Sequence, residues 1–413
     1  MDEHDVIHDW NTQRPHQGDR WRTIELHDET LRDGLQSPSV ADPSLEDKLA
    51  IVELLSELGV ASADVGLPGA GRRVAEDSCA LIQHIVDHKL EIRPSLAART
   101  HPSDIRPCIE IAEQTGARIE AMMFLGTSPI RLYTEGWSEE RLESLTRNAM
   151  QMATEGGLMA TFVTEDTTRS QPALLERLFT AAVEEGATRL VLCDTVGHAT
   201  PAGTRALVSW TIDLLQRLGV RERVAVDWHG HDDRGLSLIN ALAASEAGAD
   251  RVHGTVLGLG ERVGNTPLDQ LIINLKLHGV LQRDMQQLAE LVYRVSAATE
   301  RPIPLDYPVF GADAFRTGTG VHAAAVIKAC TKGDRWLRDR IYSGVPAEWF
   351  GRDQEITVGP MSGASNVRYW LTSRGYTAPA RLVEAILSAA KSTRRMLRDD
   401  EILEIRASLS AKP

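Results

Sequence analysis

The chain has 413 residues, more than one hydrophobic core usually serves, so one large catalytic domain with an appendage is the expected organisation. Hydrophobic content of 42% and charged content of 25% are ordinary for a globular protein. The formal net charge of -13 disfavours nucleic acid or an anionic membrane as partner, since each needs a basic face. An anionic small substrate stays open, because a few local arginines suffice for it. Cys79, Cys108, Cys193 and Cys330 show no C-x-x-C spacing, which indicates neither a zinc knuckle nor a disulfide framework and makes the cytoplasm the expected compartment. Residues 1–20 are polar and rich in His and Asp, and read as a disordered tail rather than a signal or transit peptide. No stretch approaches the apolar length of a membrane span.

From residue 21 onward, short β-rich apolar runs alternate with longer helical patterns, the signature of parallel βαβ units. The runs at 22–27, 61–66, 91–97, 118–125, 158–164, 189–193, 224–231 and 251–257 are the candidate strands. Between them lie amphipathic stretches such as 45–55, apolar at helical spacing. Glycines at 59, 116, 186 and 248 precede several strands, where helix C-caps are expected. Eight strands over roughly 250 residues fit a closed (β/α)8 TIM barrel, α/β in class, spanning residues 21–300. An open doubly wound sheet is the alternative, but no G-x-G-x-x-G follows the first strand. Two helices are expected at 268–281 and 285–299. The Arg301-Pro302-Ile303-Pro304 break then opens a mainly helical C-terminal subdomain, 301–413.

A barrel carries its chemistry at the C-terminal ends of its strands, and the polar motifs fall there. In a strand, residues two apart share a face, so His229 and His231 can aim both imidazoles at one point. With Asp33 after the first strand they make a facial ligand set for a divalent cation, with open positions for water or substrate oxygen. Arg32 beside that site would face a developing negative charge on a carbonyl oxygen. Asn265 could reach the metal or its water, or simply serve the turn of its glycine-rich loop. Glu165 and Thr195, after strands five and six, are candidates for holding substrate oxygens, and Arg99, just past strand three, is a further substrate-binding candidate. Glu261-Arg262 reads as an ion pair tying its loop.

Thr30-Leu31-Arg32-Asp33-Gly34-Leu35-Gln36, the His-x-His-x-Asp-x-Gly run from His229 to Gly235, and Gly-x-Gly-Glu-Arg-x-Gly-Asn from Gly258 to Asn265 resemble the signatures of one superfamily. It is the group of metal-dependent acyltransferases and lyases that includes 2-isopropylmalate synthase, homocitrate synthase and hydroxymethylglutaryl-CoA lyase. The resemblance implies that Mn2+, Mg2+ or Zn2+ sits on Asp33, His229 and His231, with Asn265 nearby, and chelates an α-keto acid. It implies that Arg32 polarises the keto oxygen, while Thr195 and Glu165 position the substrate. His322 and Tyr342, matched by motif in the subdomain, would assist deprotonation of the acetyl-CoA methyl, and the active unit would be a homodimer.

The chain departs from the synthases at Asp232 and Arg234, beside the histidine ligands, where Asn and Leu are usual. The stretch Ala121-Met122-Met123-Phe124 is apolar and offers no arginine for a distal carboxylate, although Arg131 stands a few residues on. That favours 2-oxoisovalerate and a 2-isopropylmalate synthase-like activity, with homocitrate synthesis from 2-oxoglutarate or an acyl-CoA lyase as alternatives. The lyase branch is disfavoured because Glu261-Arg262 stands where lyases carry a catalytic cysteine loop. The sequence also ends without the large regulatory domain of many isopropylmalate synthases, so turnover insensitive to leucine is expected.

Overall fold

The computed structural model describes residues 6–12 and 24–410. Most of the expected disordered tail, 1–20, lies outside them; within the described part, Trp10–Thr12 forms a single 3-10 turn. Eight parallel strands close into a barrel in sequence order, β1 (Glu25–Asp28), β2 (Ser62–Asp64), β3 (Arg93–Arg99), β4 (Glu120–Gly126), β5 (Met159–Glu165), β6 (Arg189–Asp194), β7 (Ala225–Gly230) and β8 (Arg251–Gly254), with β8 pairing back onto β1 through Glu25↔Arg251 to Asp28↔Gly254. The protein is a TIM barrel.

Strand periodicity assigns the two faces. Along β7, Val226 and Trp228 point outward and are fully buried by the surrounding helices, while Asp227 and His229 point into the barrel. Helices α1 (Leu45–Glu57), α2 (Arg72–His88), α3 (Pro102–Thr115), α4 (Pro129–Glu135), α5 (Glu139–Glu155), α6 (Pro172–Glu184), α7 (Pro201–Arg217) and α8 (Ser237–Glu246) fill the βα connections. Local chemistry sets their ends. Ser44 accepts from the Asp47 amide to start α1, and Thr200 does the same for α7 through Gly203. Gly116 ends α3 at φ 65°, a conformation that costs glycine nothing.

Several boundaries shift by a few residues, and two of the shifts have a clear local cause. β8 stops at Gly254 and not near 257, because the chain turns into a 3-10 turn, Val256–Gly258, with Leu257 at φ 60°. The expected helix at 268–281 ends at Leu277, where Gly279 (φ 74°) turns the chain.

The barrel interior departs from the usual filling of branched aliphatics. Its lower layer, at the strand starts, is a closed ionic network. Arg251, with no exposed surface, donates to Asp227 (2.7 Å), to both oxygens of Glu120 (2.6 and 2.8 Å) and to Ser62 (2.8 Å). Arg189 pairs with Asp227 and, at 3.2 Å, with Glu25.

The chain divides into two compact units, 1–283 with 290–301, and 284–289 with 302–413. The second unit is mainly helical, with a short parallel pair, Arg316–Thr317 and Glu355–Ile356. Its core gathers Val358, Val367, Trp370 and Leu371 with Leu382, Val383, Ile386 and Ala390 of the helix Ala380–Ser392, whose spacing puts them on one face.

Candidate metal centre

The mouth of the barrel holds the three expected ligand groups together. Asp33 follows β1 at the edge of a 3-10 turn, His229 lies in β7 and His231 just beyond it. One ligand atom from each lies within 4.8 Å of the others, and all three residues are buried. Nε2 of His229 stands 3.4 Å from Asp33 Oδ2 and 3.3 Å from Nε2 of His231, and His231 Nε2 is 3.7 Å from the same oxygen.

Electrostatics at this spot favour positive charge. Burial pushes the Asp33 carboxyl up, but Arg32, 3.2 Å away, and His229 outweigh it and hold it well below the usual carboxylate range. Burial likewise lowers His229, yet the acceptors Asp33 and Glu29 prevail and raise it to about 9. His231, lowered by burial and by repulsion from His229 to about 4, keeps a neutral ring.

Asn265 is tied to the same point. Its loop is built on close backbone approach: a Cβ on Gly264 would collide with the Gly258 carbonyl, and the Asn265 amide donates to that carbonyl at 3.0 Å. A carboxylate can only accept, so the Asn265 Nδ2 faces Asp33 Oδ2 at 2.8 Å and Oδ1 is left without a hydrogen-bond partner among the described residues. His231 Nδ1 is also unpartnered there. Two imidazole nitrogens facing each other, a carboxylate and an orphaned amide oxygen form a donor set that fits a divalent cation.

Arg32 is pinned on three sides, by Asp64 at 3.0 Å through Nε, by Asp33 at 3.2 Å, and by Glu29 in a short ion pair. A cavity of about 230 Å3 opens beside it, lined on its polar side by Arg32, Asp33, Glu165, Thr195, His229 and His231. Its apolar side is Ala97, Met122, Phe124, Val163 and Val191, with Cys193, whose thiol burial pushes up. Thr195 Oγ1 accepts from the Asp166 amide at 2.8 Å, which leaves its own proton free to donate. Glu165 is raised by burial, against the pull of Arg131.

Other expected residues are placed differently. Arg99 closes β3, but Asp104 takes its guanidinium through two bonds (2.7 and 2.8 Å); the side chain is 62% exposed and does not line the cavity, which corrects the expectation of a substrate contact. Arg262 pairs chiefly with Asp233 (2.9 and 3.1 Å) and the Thr195 carbonyl (2.6 Å), with Glu261 a longer contact at 3.6 Å, so it ties three loops rather than one. The unusual Asp232 accepts from the Ser237 amide at the start of α8, and Arg234 donates to the His198 carbonyl, so both departures serve the loop and leave the ligands intact. His322 and Tyr342 lie in the second unit, both exposed, with ring centroids 4.5 Å apart and the ring planes tilted by 31°.

Sequence reasoning missed the carboxylates behind these groups, Glu29 and Asp64. Both sit at or near strand C-terminal ends, a register that was a usable signal.

A family model described as HMGL-like matches residues 23–295. The chain belongs to the HMGL-like family. Its relatives include homocitrate synthase AksA from Methanopyrus kandleri, 32% identical over 386 residues covering 92% of this chain and 91% of that protein. The homocitrate synthase of Saccharolobus solfataricus is 32% identical over 94% of this chain and 81% of its own length, and the 2-isopropylmalate synthase of Halothermothrix orenii 31% over 88% and 68%. Among solved structures, hydroxymethylglutaryl-CoA lyase from Pseudomonas aeruginosa superposes with a TM-score of 0.56 at 20% identity, over 67% of this chain and 92% of that one, a likeness of fold. No helix among the described residues is long and apolar enough to cross a membrane, and the four cysteines are free.

Proposed function

We propose that this HMGL-like protein condenses acetyl-CoA with an α-keto acid, hydrolysing the thioester, and that the keto acid is 2-oxoisovalerate, giving 2-isopropylmalate. The observation that carries the substrate choice is the apolar wall of Ala97, Met122, Phe124, Val163 and Val191 beside the cation spot. A second carboxylate pressed on that wall would lose its hydration against apolar side chains, whereas an alkyl group gains about 25 cal/mol for each Å2 it buries.

A divalent metal held by Asp33, His229 and His231 would supply Lewis acidity toward the keto group. Arg32, fixed by three carboxylates, is oriented in advance to donate to the oxygen on which charge develops, so it loses little freedom when the substrate arrives. The free Thr195 proton suits the substrate carboxylate, and Glu165, raised by burial, faces the cavity where a substrate oxygen would sit. The acetyl methyl is a weak acid and needs a positioned base. The adjacent, exposed His322 and Tyr342 are assigned that task, supplied across a homodimer.

Homocitrate synthesis from 2-oxoglutarate is the second reading, favoured by the fuller length over which the homocitrate synthases match and by the Arg262 guanidinium among the cavity-lining side chains. Free-CoA release by the purified enzyme, with Mn2+ and a panel of keto acids, decides between them. The expected kcat/KM for 2-oxoisovalerate exceeds that for 2-oxoglutarate by roughly tenfold or more. The reverse order selects homocitrate, and no CoA release with any keto acid rejects condensation.

A further inference from the structure

One buried carboxylate enters the reaction above only as a partner of Arg32. Glu29, 1% exposed, lies directly after β1 and touches the cation spot from behind. Its Oε1 is 3.5 Å from Nδ1 of His229, 3.1 Å from Nδ1 of His253 and 3.6 Å from Nε2 of His27, while Oε2 is ion-paired with Arg32. Nε2 of His253 continues the chain to Asp227 at 3.0 Å, and Asp227 belongs to the ionic floor.

Two readings compete for this cluster. His27, Glu29 and His253 repeat the donor types of Asp33, His229 and His231, and their ligand atoms also converge within 4.8 Å. Hydrogen-bond direction argues against a second cation. Arg251 donates to Ser62 Oγ at 2.8 Å, which leaves the hydroxyl proton for Nδ1 of His27, also at 2.8 Å. A neutral imidazole that accepts at Nδ1 carries its proton on Nε2, so His27 presents an N–H to Glu29, not a lone pair. Both ring nitrogens of His253 already face carboxylates. These contacts favour protons over a second cation in this cluster.

We propose that Glu29 is a positioning residue for the metal centre: it accepts the Nδ1 proton of His229, turning the Nε2 lone pair toward Asp33 and His231, and through its other oxygen fixes Arg32 over the same cavity. The inference rests on the reading of Asp33, His229 and His231 as a cation site. A carboxylate behind a histidine ligand sets its tautomer and orientation, and losing such a partner typically costs roughly 10–100-fold in metal affinity. His253 and the floor beneath hold Glu29 itself in place.

The test is Mn2+ binding to the full chain, titrated in competition with a fluorescent chelator. Wild type binds one equivalent; Glu29→Gln binds one equivalent roughly 10–100-fold more weakly, and Glu29→Asp recovers part of the loss. Unchanged affinity in both variants overturns the role. Two equivalents in wild type falling to one in Glu29→Gln gives Glu29 a metal of its own and overturns it equally. Wild type that binds no metal fails the underlying site reading instead. Because the variants disturb a buried ionic cluster and can fail to fold, Co2+-loaded wild type supplies an independent measurement. Its paramagnetically shifted ring N–H of His229 should exchange into D2O more slowly than that of His231, and equal exchange contradicts the proposal.

Discussion

Arg251 at the floor of the barrel and His231 at its mouth are both buried polar side chains, treated in opposite ways. Every polar nitrogen of Arg251 meets an acceptor, and the acceptors are themselves shared with Arg189, His253 and Thr161. His231 keeps one ring nitrogen unpartnered and turns the other toward a second imidazole. A buried polar group without a partner costs about 1–3 kcal/mol, so the fold tolerates at the mouth what it removes from the floor. The contrast separates the residues that hold the barrel closed from those left ready for a ligand. Glu29 stands at the seam, with His27 and His253 on the floor side and Arg32 and the ligand His229 at the mouth.

That contrast breaks most visibly at Arg251. Arg251→Met strands Glu120 and Asp227 in the interior, and urea unfolding should show a loss of about 3–5 kcal/mol. In the same assay on the metal-free chain, Asp33→Asn should lose less, since the Arg32 it leaves behind keeps Glu29 and Asp64 as partners. Equal losses in the two variants would erase the distinction between floor and mouth.

A smaller effect sharpens it. Burial opposes ionisation of Glu120, but Arg251 and Arg189 win and hold it at about 2, below its ordinary 4.5. A folded-state value below the unfolded one means the stabilisation is present above pH 4.5 and lost as pH falls toward 2, by about 3 kcal/mol at about 1.4 kcal/mol per unit. Acid unfolding followed by circular dichroism should place the loss in that window; stability that is flat between pH 5 and 2 would count against the floor network.

Much of the fold was legible because its signals are local. Strands alternate with amphipathic helices, and glycines mark the turns, so all eight strands fall within a few residues of expectation. The mouth was legible for a related reason: His229, His231 and Asp33 are residue types that rarely gather at strand ends without a task. The floor was not. Glu120, Arg189 and Arg251 open their strands, where a charged residue reads as a solvated end; only closure of the barrel turns them onto one another. Arg99 misled in the opposite sense. Its position at a strand's C-terminal edge suits a cavity, but Asp104, in the first turn of α3, claims its guanidinium. Glu29 was hidden inside a motif whose neighbours drew the attention, and its role needs His253, 224 residues away, to be seen.

The central claim is that three side chains from the ends of β1 and β7, the strands that flank β8, hold a single cation. Crystals of the protein grown with Mn2+ and measured at the manganese absorption edge test it directly. The account predicts one anomalous peak per chain, within bonding reach of Asp33, His229 and His231. A peak on His27, Glu29 and His253, or none at the barrel mouth, would contradict it.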